Sequence, residues 1–395
     1  MVFILRLKEI VLKMKIQFIN SYGKLHEYNF IREVVPGENI TVYSDTGYAK
    51  FANPEVEQYY KENNIRLVRA NDYAKINNRT IRSFFNLLSG IRIILKSRRE
   101  KYDYCFVHFL STRRAILSYF VPSRTKQVLI TYGSDLLRRN NFNNFFFKKM
   151  IERSHLIVFN SGNLRYTFEQ AYGKQYENKC VDIAFPCASF DRLETLISGF
   201  KPEDAFKRFN LPSDKKIVVC GHTSTEDEQF EPMIDALSRI NQTSKDECYF
   251  VFFMTYGSGN YLEYRKRVED KLKATDLNFT ILKDYLNYDE MALLHSVSNI
   301  HITSITTDAL SIFLQEEMYA GATVLYGKWL HYIEFENEDY GAIPYDDFDD
   351  LTIKFNEVAS GNIPPKPANL KRMIENLSSN ESISNSWRKI LYGNE

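Results

Sequence analysis

Short apolar runs alternate with helix-like stretches along the chain in two successive series, and this alternation constrains the fold more than any other feature. In the first series the runs fall at 15–20, 40–43, 65–68, 103–108, 127–131, 155–159 and 180–185, with helix-like stretches at 79–97, 143–152 and 162–172. The second series opens with Lys216-Ile217-Val218-Val219-Cys220-Gly221 and has further runs at 249–255, 278–282, 299–304 and 322–326. Its helix-like stretches are 228–240, 260–273, 288–296 and 311–320, and the polar segments 347–359 and 366–392 also read as helical. Continuous apolar runs separated by helices predict parallel sheets covered on both faces. The stretch from Phe185 to Asp191 and the Asn210-Leu211-Pro212-Ser213-Asp214 turn break the pattern between the series. The expected architecture is α/β: two doubly wound Rossmann-like domains, residues 1–199 and 200–372, with 373–395 a C-terminal helix returning to the first domain.

A length of 395 residues fits two or three domains. With 44% hydrophobic and 26% charged residues, disorder, collagen and a small disulfide scaffold are excluded. No segment approaches the ~20 apolar residues of a membrane span. Met1 to Lys13 is apolar but interrupted by Arg6, Lys8 and Glu9; it reads as an amphipathic extension rather than a signal peptide. The five cysteines, Cys105, Cys180, Cys187, Cys220 and Cys248, lack CxxC spacing and read as reduced core thiols of a cytoplasmic protein. No His/Cys spacing suits a metal, and none is expected. The net charge of +1 hides an asymmetry: residues 1–200 carry 31 Lys+Arg against 18 Asp+Glu, and residues 201–395 carry 20 against 32. A basic first half suits an anionic membrane surface or a phosphorylated substrate. Nucleic acid is not expected, since no recognised motif is present.

In doubly wound sheets ligands bind beyond the carboxyl ends of the strands. The turns to read are therefore Asn20-Ser21-Tyr22-Gly23, Tyr132-Gly133-Ser134-Asp135, Gly221-His222-Thr223-Ser224-Thr225, Tyr256-Gly257-Ser258-Gly259, Lys283-Asp284 and Ser304 to Ser311. The most informative stretch is Thr307-Asp308-Ala309-Leu310-Ser311 followed by Ile312 to Leu325. It reads as a loop carrying Asp308, a helix over 311–320, a small-residue turn and a strand. Free amides at the helix start, at Ala309, Leu310 and Ser311, together with the helix dipole suit a diphosphate. Seven residues separate Asp308 from Glu316, a step of eight positions or about 12 Å along a helix at ~1.5 Å per residue. A plain helix cap at Asp308 and a solvated Glu316 fit this stretch equally well.

The stretch resembles the E-x7-E element of retaining GT-B glycosyltransferases similar to the family 4 group, with Asp308 in place of the first Glu. Glu316-Glu317-Met318-Tyr319-Ala320-Gly321 resembles the Glu-x-Met-x-x-Gly run that follows it there. Asp103 to His108, the Thr131-Tyr132-Gly133-Ser134-Asp135-Leu136 turn and Leu156 to Ser161 resemble further family elements in the same order. There is also a looser likeness to bacterial 4-acetamidofucosyl transferases, in the Gly-His-Thr-Ser-Thr stretch and the Tyr256 turn. The resemblance implies a GT-B fold with its two domains facing an interdomain cleft. It implies metal-independent transfer of a sugar from a nucleoside-diphosphate sugar to a hydroxyl of a glycan or lipid-linked acceptor, in surface polysaccharide assembly and with retention.

On that resemblance Asp308, His108 and Asp135 are the catalytic candidates. Glu316 (on the ribose), Ala309, Leu310, Ser311, Thr223, Ser224, Thr225, Tyr256, Gly257, Ser258 and Lys283 are the donor-binding ones. Tyr22, Gly23 and Arg138 are assigned to the acceptor. The nucleotide sugar is a substrate, so no cofactor is implied. Two departures stand out: Tyr132 replaces a family histidine, and the Gly221 turn has no Lys or Arg for the diphosphate. Lys283, Arg265, Lys266 and Lys328 are the alternative cations. An inverting enzyme using Asp135 or His108 as base, a sugar epimerase and an inactive partner subunit remain open alternatives. The expected location of the protein is the cytoplasm, at the inner face of the cell membrane, with a peripheral contact to anionic lipid through the basic N-terminal domain.

Overall fold

The computed structural model describes residues 13–20, 25–44, 51, 54–71, 73, 75–137, 144–186, 190–257, 259–337, 339–363 and 365–393. The chain divides into two compact units, one of residues 1–159 and 169–181, the other of 160–168 and 182–395. The division thus falls earlier in the chain than 199/200, and residues 373–395 cluster with the second unit.

The first unit holds a seven-stranded sheet: β1 (Lys15–Asn20), β2 (Asn39–Ser44), β3 (Arg66–Arg69), β4 (Tyr104–His108), β5 (Lys126–Ile130), β6 (Leu156–Phe159) and β7 (Cys180–Asp182), in the order β3-β2-β1-β4-β5-β6-β7. The pairings of β1 with β2 and β4, β2 with β3, β4 with β5 and β5 with β6 are parallel. Strands β1 and β4 are buried almost end to end because helices cover both faces. Phe18 and Phe106 stack at 5.1 Å between ring centres, and Phe30 packs on Phe106 at the same distance. Each such ring contributes roughly 1.5–3 kcal/mol on burial.

The second unit holds a six-stranded sheet: β8 (Lys216–Cys220), β9 (Cys248–Phe253), β10 (Phe279–Leu282), β11 (Ser298–Thr303), β12 (Thr323–Gly327) and β13 (Ile343–Tyr345). Its order is β10-β9-β8-β11-β12-β13, with every pairing parallel. Apolar strand residues fill both faces. Val218, Phe250, Phe252 and Ile300 pack with helices Phe230–Ser238 and Phe348–Ala359 on one side, and Val219, Val251 and Phe253 pack with Leu293, Leu294 and Phe313 on the other. β13 was not expected. It is a three-residue edge strand containing Pro344, which only an edge tolerates.

In both sheets the strand order reverses around the first strand, so the switch points lie between β1 and β4 and between β8 and β11. The turns after β8 and β11 therefore emerge side by side, where the topology favours a ligand. Cys105, Cys220 and Cys248 are buried free thiols, and Cys180 is half-buried with its Sγ 3.3 Å from Tyr176 O; Cys187 lies outside the described residues.

Candidate donor site at the switch point of the second sheet

β8 is followed by Gly221, whose φ of +63° lies in the left-handed region. A Cβ there would stand 2.5 Å from Phe230 Cζ and 2.9 Å from Glu228 Oε2, so both conformation and space require glycine. The turn wraps around Glu228, a fully buried carboxylate. Glu228 Oε1 accepts from Thr223 Oγ1 at 2.8 Å and from the His222 amide at 3.4 Å, and His222 Nδ1 lies 3.2 Å from it. Thr223 and Thr225 hydroxyls are 3.0 Å apart. Burial raises the Glu228 carboxyl above its usual range, against the opposing pull of His222 and Thr223, and the charge of Asp308 raises it further.

Ser224 ties this turn to the one after β9. Its amide donates to Tyr256 O at 2.6 Å and its hydroxyl to Met254 O at 2.5 Å. Gly257 packs so closely there that a Cβ would meet Tyr261 Cβ at 2.6 Å and the Ser224 carbonyl at 3.1 Å. Arg265, on helix Tyr261–Lys273, donates from Nη2 to Ser224 Oγ at 3.2 Å and stacks on Tyr261 at 5.4 Å. Its Nε is buried without a hydrogen-bond partner among the described residues. Of the candidate cations, Arg265 is the one joined to this turn by a hydrogen bond. Lys283 pairs with Glu269 at 2.6 Å and Lys328 with Asp346 at 2.9 Å, both exposed, and Lys266 is exposed.

The segment after β11 is latched to the same turn. Thr306 donates its amide to Asp227 O at 2.7 Å, and Gln229 Nε2 donates to Ser304 O at 2.6 Å. Asp308 accepts from the Tyr332 hydroxyl at 2.8 Å through Oδ2, and its carbonyl accepts from Asn163 Nδ2 at 3.0 Å. Asn163 also donates to Leu330 O at 2.8 Å, so one amide fixes both loops. Burial, and then Asp308, push the Tyr332 phenol well above its usual value. Partial desolvation, and then the charges of Glu228, Tyr285 and Asp308, raise the Tyr256 phenol above its usual value.

The following helix is Ile312–Ala320, with Ser311 as its N-cap. The first-turn amides thus belong to Ile312, Phe313 and Leu314, not to Ala309, Leu310 and Ser311, which form the approach to the helix. Ser311 makes no side-chain cap, and the first amides of a helix have no intrahelical acceptor. Asp308 is in the loop, as the sequence suggested.

Glu316 is not the solvated residue of the plain reading. It is 5% exposed, and its Oε2 lies 3.3 Å from His295 Nε2. The other ring nitrogen of His295 lies 2.9 Å from Glu317 Oε1. Burial lowers the His295 pKa, but Glu317 and Glu316 outweigh it and hold the ring up at about 9. His301, also buried, has its Nδ1 3.1 Å from Val219 O and is pushed down to about 4 by burial. Both rings pack on Phe313, at 4.9 and 5.2 Å between centres, and His222 stacks on it at 6.0 Å.

In the first unit, the Asp135 carboxylate organises the turn after β5. Oδ2 accepts from Leu110 N at 2.8 Å, and Oδ1 from Tyr132 N at 3.0 Å and Gly133 N at 2.9 Å. Burial raises its pKa, and these amides pull the other way. His108 Nδ1 lies 2.6 Å from the Tyr132 hydroxyl, and the Arg114 guanidinium donates to the His108 carbonyl. Burial, then Arg114 and His26, hold His108 well below its usual value, so it is neutral near pH 7. Phe109 follows with φ +69°, a conformation disfavoured for a bulky residue. The Tyr22, Gly23, Arg138 and Ser258 assignments lie outside the described residues.

Sequence reasoning missed Glu228, His295, Glu317, Tyr332 and Asn163. The Glu226-Asp227-Glu228 run offered one signal, a cluster of acids beside a turn that the resemblance led one to search for cations.

No family model matches the sequence, and no curated protein matches it. Solved structures do. A glycosyltransferase from Rickettsia africae superposes with a TM-score of 0.69 at 13% identity, over 97% of this chain and 100% of that one. Anabaena Alr3699/HepE, solved in complex with UDP, gives 0.71 at 14% identity, over 96% and 100%. The lipopolysaccharide outer core galactosyltransferase WaaB gives 0.68 at 11% identity, over 96% and 99%. With two parallel sheets of seven and six strands, the chain has the GT-B fold that these glycosyltransferases share.

Proposed function

We propose that the chain is a glycosyltransferase that takes a nucleoside-diphosphate sugar at the switch point of its second sheet and passes the sugar to an acceptor hydroxyl. The observation that carries this reading is the convergence there of the Thr223-Ser224-Thr225 turn, Arg265, Asp308 and the start of helix Ile312–Ala320. A diphosphate needs backbone and hydroxyl donors, a helix dipole and at least one cation, and these groups supply each. Arg265 stands in for the cations that the Gly221 turn lacks. HepE was also solved in complex with UDP-glucose, which supports a nucleotide sugar as donor.

In this reading Asp308, oriented by Tyr332, accepts hydrogen bonds from the sugar hydroxyls, and Glu316 faces the nucleotide's ribose. Transfer breaks the bond between the anomeric carbon and the diphosphate oxygen and forms one to the acceptor oxygen, whose proton passes to the leaving diphosphate. Arg265 and the helix amides stabilise the charge that develops on that oxygen. The resemblance of the Asp308/Glu316 element to that of retaining GT-B enzymes supports retention, and the same resemblance implies a glycan or lipid-linked acceptor in surface polysaccharide assembly. The free thiols fit a reducing, cytoplasmic setting.

The test is thermal unfolding of the full chain with UDP, GDP, ADP and dTDP and their sugars, in wild type and Arg265→Ala. A ligand at 100 times its dissociation constant stabilises by ~2.7 kcal/mol. One base should raise the unfolding midpoint, and Arg265→Ala should lose most of the shift. A folded protein that no nucleotide stabilises would sink the reading. With a donor in hand, the anomeric configuration of the product decides retention.

A further inference from the structure

The helix Arg79–Ser97 carries its polarity the wrong way round for a helix packed on a sheet. Its exposed face holds Ile81, Phe84, Phe85, Leu88 and Leu95, exposed by 48, 57, 39, 45 and 41%. Its buried residues are Asn86, Ser89, Gly90, Ile94 and Ser97, four of them polar or without a side chain. Two of the inward groups are satisfied locally: Ser89 Oγ accepts from the Asn71 amide at 2.9 Å and Ser97 Oγ donates to Ile94 O at 2.8 Å, while Asn86 Oδ1 is buried without a hydrogen-bond partner among the described residues. Gly90 lets the neighbouring helix Thr112–Tyr119 approach, since a Cβ there would stand 2.9 Å from Leu117 Cδ2. The helix is thus seated by small residues and leaves its large apolar ones in water, where a contiguous patch marks an interaction surface.

The charge around that stripe says what covers it. No Asp or Glu occurs between Tyr73 and Arg99, whereas Lys75, Arg79, Arg82, Arg92, Lys96, Arg98 and Arg99 do. At about 100° per residue, Arg92, Lys96 and Arg99 fall on or beside the apolar stripe in the helix's last turns and just beyond them. There Leu88, Ile91, Arg92, Leu95, Lys96 and Arg99 line a groove of about 620 Å³. Apolar rings at one end, cations at the other and no acid between them match a surface that is apolar below and anionic above. They do not match a protein partner whose rim would carry both signs. Among the described residues no helix is long and apolar enough to cross a membrane, so the contact is one of lying on the surface.

We propose that the exposed face of helix Arg79–Ser97 docks the chain onto a bilayer bearing anionic lipid, with Phe84 and Phe85 entering the headgroup boundary and Arg92, Lys96 and Arg99 bound to phosphate groups. This goes beyond the donor reading and does not depend on it.

The experiment is flotation of the full chain with phosphatidylcholine vesicles with and without phosphatidylglycerol, in the absence of nucleotide, at low and high salt. Wild type should float with the anionic vesicles alone, and less at high salt. The variants Phe84→Ser/Phe85→Ser and Arg92→Glu/Lys96→Glu should each lower partitioning by about tenfold or more. Both change exposed positions, and an unaltered unfolding midpoint confirms that they fold. The proposal is overturned if wild type stays with the soluble fraction at low salt, or if both variants float as wild type does. It is likewise overturned if light scattering shows a dimer that Phe84→Ser/Phe85→Ser dissociates while vesicles bind neither form, which would assign the stripe to a second copy of the chain. Nucleotide binding measured on the same samples separates failure here from failure of the donor site.

Discussion

His295 Nδ1 stands 2.9 Å from Glu317 Oε1, with both side chains wholly buried. Burial alone would keep this imidazole neutral; the charge of Glu317, and then Glu316 at the other ring nitrogen, outweigh it and hold the ring as a cation, and its place in the last turn of helix Tyr288–His295 suits positive charge. Its pKa of about 9 in the fold exceeds the ordinary 6.5. A group raised on folding adds stability that is fully present below pH 6.5 and is lost as pH rises through about 9. The unfolding midpoint should therefore fall across that window. His295→Gln should lie lower by ~3–5 kcal/mol below pH 6.5, where the buried pair is intact in wild type, with the gap narrowing as pH rises towards 9, and should lose the slope. Equal slopes in wild type and variant would assign the pH dependence elsewhere.

His301, which also packs on Phe313, carries the opposite sign. Burial holds it at about 4, below 6.5, so it adds stability that is present above pH 6.5 and is lost as pH falls through about 4. His301→Gln should flatten the acid limb of the stability profile and leave the alkaline limb to His295. Guanidinium midpoints measured across both windows for the two variants separate them; a His301→Gln profile with the wild-type acid limb would refute the assignment.

The turn after β8, which shapes the proposed donor site, depends on Gly221. Gly221→Ala combines a left-handed φ with a Cβ forced onto Phe230 and Glu228, so both strain and overpacking act. Gly361→Ala is the control: φ is +86° there, but nothing lies within 4 Å of the added Cβ. The control should cost about 1 kcal/mol, and Gly221→Ala some ~2–4 kcal/mol together with its nucleotide response. Equal urea midpoints for the two would show that the turn absorbs the methyl group.

How much of this was legible in the sequence follows from the range of the interactions. Strands such as Lys216–Cys220 and Cys248–Phe253 announce themselves because a sheet buried on both faces demands continuous apolar residues. The Ile343–Tyr345 strand is too short and too interrupted by proline to do so. The hydroxyl turn and Asp308 were readable as local motifs at strand ends. Their supports were not: Asn163 reaches Asp308 across 145 residues, and Glu317 reaches His295 across 22. Arg265 was one of four candidate cations until the fold laid it against Ser224.

Asp135 separates a structural carboxylate from a catalytic one. Its two oxygens already accept from three backbone amides, and it is 5% exposed. Asn in its place presents an amide donor to at least one of those N–H groups, leaving it unsatisfied at a cost of about 1–3 kcal/mol. Asp135→Asn should therefore lower the unfolding midpoint and leave the shape of the pH–rate profile for the proposed sugar transfer unchanged at temperatures where the variant stays folded. A general base behaves otherwise, since its loss removes the acid limb of that profile while the fold persists. His108, neutral and joined to Tyr132, is the group in this unit from which such a limb would come, and His108→Gln measured alongside is the comparison that decides between them.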